Sequence, residues 1–552
     1  MPASASYCDM SQQRSKSVRK QKTIIIAGAA LGGATAAARA REIDEHARII
    51  LLERNTRVSY AMAGLSLHLS GEVRNIEDLN REREDFFRNV YAIDVRTRTE
   101  VKAINAKKNI ITIETAGTSE DIAYDALVMA TGAASIAPIG IKPAASFSYF
   151  RTLDDLAAIK AALVAGKKRF VVLGGGSMGA EAFDGLVRAG AEVTLIEKKR
   201  QILPDYSAEI SALVTAHEVH KARIIAGFKD MSFETAGDSI TAVKVDGVRI
   251  ETDFVVSAIG VKPRTELLKK TGVKLSSGGA ILIDEACRTS VKDIYACSIC
   301  VAVKDGKEHH WIPQAAVSDK TAQVAGENAA GGKARLAYIS GSQIIRLPSL
   351  EVGRVGKKPQ GSRGDSVFVH ARDIEAYVPG SAELSVKLWY DKKTLRVKSL
   401  EAAGRNIKSR LDTFAAALAG GLTLNDLAML DLAYTPAFGT ARDAVNIAAT
   451  VALQKSAELT ATVTYDEIRA KRGKFFVLDV SAEAAHAGFH DLHVPLEKLR
   501  SQIVELTNKF KISGARHIAT LSATGRRGHL ALRILRSHGL KAVNIAGGRK
   551  TG

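Results

Sequence analysis

Two glycine-rich runs carry the first chemistry. One reads Thr23-Ile-Ile-Ile-Ala-Gly28-Ala-Ala-Leu-Gly32-Gly33-Ala. The other reads Val171-Val-Leu-Gly174-Gly-Gly176-Ser-Met-Gly179-Ala-Glu181. Each follows an apolar run and opens a helical stretch. Glycines at this spacing let the backbone approach a pyrophosphate, and the helix N-terminus stabilises its charge. An acid at the end of the next strand then binds ribose hydroxyls. Those acids are Glu53, closing RIILLE, and Glu197, closing EVTLIE. Ala30 stands at the middle glycine of the first run, whereas the second fits G-x-G-x-x-G in full. Glu197 favours the free ribose diol of NAD, and Lys198, Lys199 and Arg200 keep NADP open. A glycine-rich turn with no ligand is a poor reading of two such units 146 residues apart.

Sulfur chemistry has little to work with. The chain has four cysteines, Cys8, Cys287, Cys297 and Cys300. That excludes a disulfide-stapled secreted scaffold and points to a reducing, cytoplasmic setting. Cys297 and Cys300 form a C-x-x-C, expected at a strand–helix junction where a helix N-terminus lowers a thiol pKa. The plainer reading is two small core residues. A zinc site there needs two more ligands, and only His309 and His310 lie nearby, so no metal is expected.

The elements that position these residues read as alternating strands and helices. TIIIAG, RIILLE, ALVMATG, FVVLGGG, EVTLIE and FVVSAIG are near-continuous apolar runs, the pattern of strands buried on both faces of a parallel sheet. Their alternation with Ala-rich helices gives a doubly wound α/β architecture. Near residue 336 the texture shifts to hairpins and then helices, an α+β unit ending near residue 456. A last unit from TYDEIRA has its own strands, FFVLDV, HIATLS and KAVNIAGG, with helices from Leu496 and Gly528.

The 552 residues suggest about three to five domains. With 46% hydrophobic and 25% charged residues the composition is that of a globular chain, not a disordered or collagenous one. No run of eighteen apolar residues predicts a membrane span. The net charge of +19 favours polyanions. Residues 1–22 read as a flexible basic tail supplying part of it. No nucleic-acid reader motif accompanies the charge, so phosphate-rich cofactors fit better than nucleic acid.

Further runs complete a recognisable set: Ala130-Thr131-Gly132-Ala133, Ser257-Ala-Ile-Gly260-Val-Lys-Pro263, Thr289-Ser-Val-Lys-Asp-Ile-Tyr295-Ala296, Ser59-Tyr-Ala-Met-Ala-Gly64-Leu, Ala376-Tyr-Val-Pro-Gly380 and Asp431-Leu-Ala-Tyr434-Thr-Pro-Ala-Phe438. With the two cradles, they resemble the pyridine nucleotide–disulfide oxidoreductase superfamily. Within it the chain is similar to coenzyme A disulfide reductases and NADH-dependent persulfide reductases with a C-terminal rhodanese domain. The resemblance implies a FAD-binding domain at 23–145 and 264–335, an inserted NAD(P)-binding domain at 146–263, a dimerisation domain at 336–456 and a rhodanese-like domain at 460–552. It implies FAD and NAD(P)H as cofactors, held by Gly28, Gly32, Gly33, Glu53, Arg54, Thr131, Gly132, Gly174, Gly176, Gly179, Glu197 and Gly260. It also implies a homodimer in which Tyr434 is a catalytic candidate.

The family's sulfur nucleophiles are replaced. Its S-F-x-N-C-G-L-P cysteine falls on Ala63, with Met62 and Ser66 at the flanking Asn and Pro. Its rhodanese cysteine falls on Ser522, in Leu521-Ser522-Ala-Thr-Gly525-Arg526-Arg527-Gly528. Neither replacement carries transferable sulfur. Loop amides with Arg526 and Arg527 still suit an anion, although a structural remnant is the plainer reading. The Asp of the A-G-D motif, a FAD ribityl contact, falls on Ile299. Tyr377 has a status similar to Tyr434. Arg39 is present, but Glu42 lies where a coenzyme A phosphate partner is expected. The expected function is hydride transfer from NAD(P)H to FAD and on to a small acceptor, without a redox cysteine. The alternative is a catalytically weak, nucleotide-binding regulatory dimer.

Overall fold

The computed structural model describes residues 21–141, 144–306, 308–359, 361–483 and 489–551. The basic tail, Cys8 and Gly488 fall outside them. The described residues fall into two compact units: those of 21–60, 80–133 and 263–336 form one, and those of 61–79, 134–262 and 337–551 form the other.

The first unit is built on a five-stranded sheet in the order Ile294–Ala296, Ala126–Met129, Thr23–Ala27, Arg48–Leu52, Asp94–Arg96, every pairing parallel. Ile24, Ile25, Ile26, Leu51, Leu127 and Val128 are fully buried, as strands covered on both faces require. Helices Leu31–Ile43 and Ala315–Ala329 pack against each other through small residues. A Cβ on Gly326 would lie 2.2 Å from the Ala36 carbonyl oxygen, so only glycine permits this crossing. The alanine-rich composition of both helices follows from that close approach. An antiparallel meander, Thr99–Asn105, Ile110–Thr115 and Thr118–Ala123, completes the unit.

The second unit contains three sheets of five strands. A parallel sheet runs in the order Arg223–Ala226, Glu192–Glu197, Arg169–Leu173, Phe254–Ser257, Phe147–Tyr149. It repeats the strand–helix–strand plan of the first unit. An antiparallel sheet follows, Gln343–Arg346, Glu351–Gly356, Val397–Gly404, Glu383–Asp391 and Gly364–Arg372, whose core face packs helices Lys408–Ala419 and Ala444–Ser456. The C-terminal sheet is parallel, in the order Thr462–Val463, Ala542–Ile545, His517–Leu521, Phe475–Asp479, Leu492–His493. Separate apolar clusters cover its two faces, the doubly wound pattern in small.

The α/β class and the six apolar runs read as strands match the expectation. Two local features differ. The last long helix is Arg526–Ser537, beginning two residues earlier than expected, because Gly525 at φ +83° reverses the chain ahead of it. Cys297 and Cys300 do not open a helix. They follow strand Ile294–Ala296 and enter one 3₁₀ turn, Ser298–Cys300, which leads into strand Val301–Asp305. Among the described residues no helix is long and apolar enough to cross a membrane.

Candidate functional site

Strand Thr23–Ala27 ends at Gly28, which turns at φ +104°, and a Cβ there would lie 2.4 Å from the Ala130 carbonyl oxygen. Strand Arg169–Leu173 ends at Gly174, φ +97°, where a Cβ would lie 2.6 Å from the Ala258 carbonyl oxygen. Both positions therefore admit only glycine. The closing glycines repeat as well: a Cβ on Gly33 would come within 1.7 Å of Gly28 O, and one on Gly179 within 1.7 Å of Gly174 O. Each lets its helix start directly against its own turn.

The middle position is different. Gly176 (φ −74°, ψ −172°) and Ala30 (φ −67°, ψ −171°) share one extended conformation open to any residue. That explains why alanine is accepted at the first cradle. Gly32 is held for another reason, since a Cβ would strike Ser298 Cβ at 2.6 Å.

Both acids are buried and doubly engaged. Glu53 accepts from the Ala29 and Asn55 backbone N–H groups, each at 2.9 Å. Glu197 accepts from Gly175 N–H at 2.6 Å and Lys199 N–H at 2.8 Å. Each carboxylate thus sits at the rim of its glycine turn with one lone pair of each oxygen engaged. Arg54, Lys198, Lys199 and Arg200 are exposed beside these acids. Thr131 Oγ1 donates to Arg264 O at 2.6 Å, and Gly132, φ +67°, accepts from Arg264 N–H at 3.0 Å. Gly260, φ +125°, accepts from Ile136 N–H at 3.0 Å. The glycine turns and rim acids fit a dinucleotide at each cradle.

Ile299 fits less well. Its side chain brings no polar atom, while its carbonyl accepts from Trp311 Nε1 at 2.8 Å. Ser298 occupies the glycine position of the A-G-D pattern and takes φ +73°, a glycine-like conformation. Its strain is held by Ser318 Oγ at 3.0 Å and by its own N–H donating to Thr321 Oγ1 at 3.1 Å.

The thiols of the described residues are not poised for redox work. Cys287, Cys297 and Cys300 are free and fully buried. Burial pushes all three thiols up, so none carries an accessible thiolate at neutral pH. Ala63 lies exposed in the turn Met62–Gly64, which leads into helix Leu65–Leu69. That helix crosses Ser177–Arg188 closely, since a Cβ on Gly185 would meet Ser66 O at 3.0 Å.

In the C-terminal sheet, Ser522 is buried at the end of His517–Leu521. Its Oγ accepts from Gly525 N–H at 3.0 Å and Gly528 N–H at 3.2 Å. The hydroxyl itself occupies amides that an anion would use. Arg527 donates to Val480 O and to Glu497, while Arg526 is exposed. Tyr434 lies on a surface loop, 46% exposed, and donates to Glu375 Oε1 at 3.2 Å. Local desolvation, then hydrogen bonding with Tyr377 and Glu375, pushes its phenol up to about 12, so it stays a proton donor.

One group has no counterpart in the sequence reading. Glu181, on helix Ser177–Arg188, is half-buried, and desolvation, then the charge of Asp184, pushes its carboxyl up to about 7.

Comparison with known proteins adds the lineage. The family model described as pyridine nucleotide-disulphide oxidoreductase matches residues 22–326. A protein named NADH oxidase from Methanocaldococcus jannaschii is 28% identical, over 78% of this chain and 98% of its own length. Among solved structures, an NAD-dependent persulfide reductase from A. fulgidus superposes with a TM-score of 0.89 at 28% identity, covering 96% of this chain and 99% of its own. The reduced CoADR-RHD of Bacillus anthracis gives 0.88 at 27% identity, covering 96% and 97%.

Proposed function

The chain belongs to the pyridine nucleotide-disulphide oxidoreductase family, and from that premise we propose that it is a FAD-dependent NAD(P)H oxidoreductase that works without a redox cysteine. The observation that carries this reading is the duplicated cradle: Gly28, Gly33 and Glu53 in one unit repeat as Gly174, Gly179 and Glu197 in the other. In this reading Gly28, Gly32, Gly33, Glu53, Arg54, Thr131 and Gly132 hold FAD, and Gly174, Gly176, Gly179, Glu197 and Gly260 hold NAD(P)H. Bound flavin supplies acceptance of a hydride and its onward passage as electrons.

The chain's own part is binding, orientation and restriction. The amides opening helices Leu31–Ile43 and Ser177–Arg188 stabilise pyrophosphate charge. Glu53 and Glu197 offer their remaining lone pairs to ribose hydroxyls. Ala63 offers a methyl group where the family keeps its nucleophile, so no mixed disulfide forms on the protein. This favours a small acceptor reduced directly over the persulfide named for the A. fulgidus protein.

The domain limits that go with this reading are 23–145 and 264–335 for FAD, 146–263 for NAD(P)H, 336–456 for self-association and 460–552 for the rhodanese-like unit. In a homodimer, Tyr434 of the exposed loop is a proton donor. Three free buried thiols fit a reducing, cytoplasmic setting. The test is steady-state oxidation of NADH and NADPH by the purified protein, with oxygen and with a soluble quinone as acceptor. Turnover with at least one pair supports the reading. Tight nucleotide binding with background turnover overturns it in favour of a regulatory dimer, the reading that the replacements at Ala63, Ile299 and Ser522 would then support.

A further inference from the structure

Strand Ile294–Ala296 is an edge of the first unit's parallel sheet, beside Ala126–Met129, which pairs in turn with Thr23–Ala27. Ligands of such sheets bind outside the carboxyl ends of the strands. Three turns leave those ends: Gly28 after Thr23–Ala27, Ala130–Gly132 after Ala126–Met129, and Cys297–Ser298 after Ile294–Ala296. Ala130 N–H donates to Ala27 O at 2.9 Å and Cys297 N–H to Met129 O at 3.0 Å, so the three turns run side by side.

Ser298 thereby reaches the first glycine cradle. A Cβ on Gly32 would lie 2.6 Å from Ser298 Cβ, 2.8 Å from Ser298 Oγ and 2.9 Å from Ser318 Oγ. Two hydroxyls therefore stand against the first turn of helix Leu31–Ile43, the end that stabilises a diphosphate's charge. Ser298 is 8% exposed and Ser318 4%. The φ of +73° at Ser298 suits glycine, yet serine stands there. Non-glycine residues persist in this region where their surroundings hold them, and they gather at ligand sites.

The hydroxyl of Ser298 still has a bond to give. Its oxygen accepts from Ser318 Oγ at 3.0 Å, while its O–H has no acceptor among the described residues. A hydroxyl that accepts one hydrogen bond is polarised to donate the next, and its best partner is an oxygen that only accepts. Along a flavin adenine dinucleotide the ionised diphosphate oxygens only accept, whereas the polyol hydroxyls also donate. The next side chain, Ile299, does neither.

We propose that Ser298 holds the flavin dinucleotide by its diphosphate, donating its free O–H to a phosphate oxygen beside Gly32. A neutral donor at position 298 then anchors the cofactor in place of an acid at position 299. The proposal rests on the reading that the first cradle takes FAD. Ser318 is a positioning residue in this arrangement, because its O–H occupies a lone pair of Ser298 and turns the remaining O–H outward from helix Ala315–Ala329. Flavin retention then depends on the hydroxyl of Ser298 and not on the backbone shape of its turn.

The experiment compares the purified flavoprotein with Ser298→Gly and Ser298→Ala. Flavin release on dilution is followed by fluorescence. Displacement by ADP, which carries a diphosphate without the polyol, is followed at fixed, saturating FAD by visible circular dichroism. Both variants are expected to raise the flavin Kd by about tenfold to a hundredfold, the range of a hydrogen bond to a charged group. The ADP concentration that displaces half of the flavin is expected to stay unchanged, because both ligands lose the same contact. Native retention in both variants overturns the proposal. So does loss in Ser298→Ala with native retention in Ser298→Gly, since glycine suits φ +73° and only the backbone would then matter. Weaker flavin binding with a lower ADP requirement assigns the contact to the polyol and overturns the diphosphate assignment. A native protein that neither carries nor takes up flavin overturns the first-cradle reading itself.

Discussion

Alanine at Gly33 and at Gly179 separates the two cradles. The added Cβ meets a carbonyl oxygen at 1.7 Å in each case, against about 3.4 Å for ordinary contact. Either helix must therefore withdraw from its strand by about 1.7 Å. The obstructing atom is backbone, so no side-chain rotation relieves it. Overpacking of this kind costs about 1–3 kcal/mol, and this clash belongs at the upper end. For the first unit, of roughly 200 residues, that is a fall in Tm of about 6–12 °C for Gly33→Ala. Gly176→Ala is the control, because nothing lies within 4 Å of its Cβ and its φ is −74°. Flavin content by absorbance, nucleotide affinity by calorimetry and thermal unfolding are measured together. Gly33→Ala loses flavin. Gly179→Ala keeps flavin and loses NAD(P)H binding. Gly176→Ala unfolds as the native protein does. The reasoning fails if both clashing variants keep native Tm and both ligands, or if both lose the same ligand.

Other outcomes follow from single residues. Maleimide leaves NAD(P)H turnover unchanged in the folded protein, because Cys287, Cys297 and Cys300 are buried with raised thiol pKa values; inhibition that tracks their labelling contradicts this. Ile299→Asp tightens flavin retention on dilution by supplying the missing polar atom, and unchanged or weaker retention speaks against a ribityl contact at that position. Ser522→Ala leaves two buried amides without their acceptor and lowers the stability of the C-terminal sheet by about 1–3 kcal/mol. An unchanged thermal transition there shows that water or the loop replaces the hydroxyl.

The cradles were legible because their constraint is local: a positive φ at Gly28 and Gly174, and a helix starting against its own turn at Gly33 and Gly179, leave glycine alone possible. The strands were legible because burial on both faces forces continuous apolar runs. Ala30 stands at the middle glycine of the first run because that position is extended and open to any residue. The misplaced context of Cys297 and Cys300 has a physical cause. Ser298 holds a glycine-like φ of +73° by bonding Ser318 and Thr321, which lie 20 and 23 residues downstream. No local pattern encodes that pairing.

The most direct test of a cysteine-free flavin reductase is an anaerobic titration of the purified protein with NADH, and then NADPH, followed by visible absorbance. The account predicts a flavin spectrum that bleaches fully with one equivalent of the preferred nucleotide, because no protein thiol shares the electrons. A colourless protein, an unbleached flavin, or a requirement for a second equivalent contradicts it.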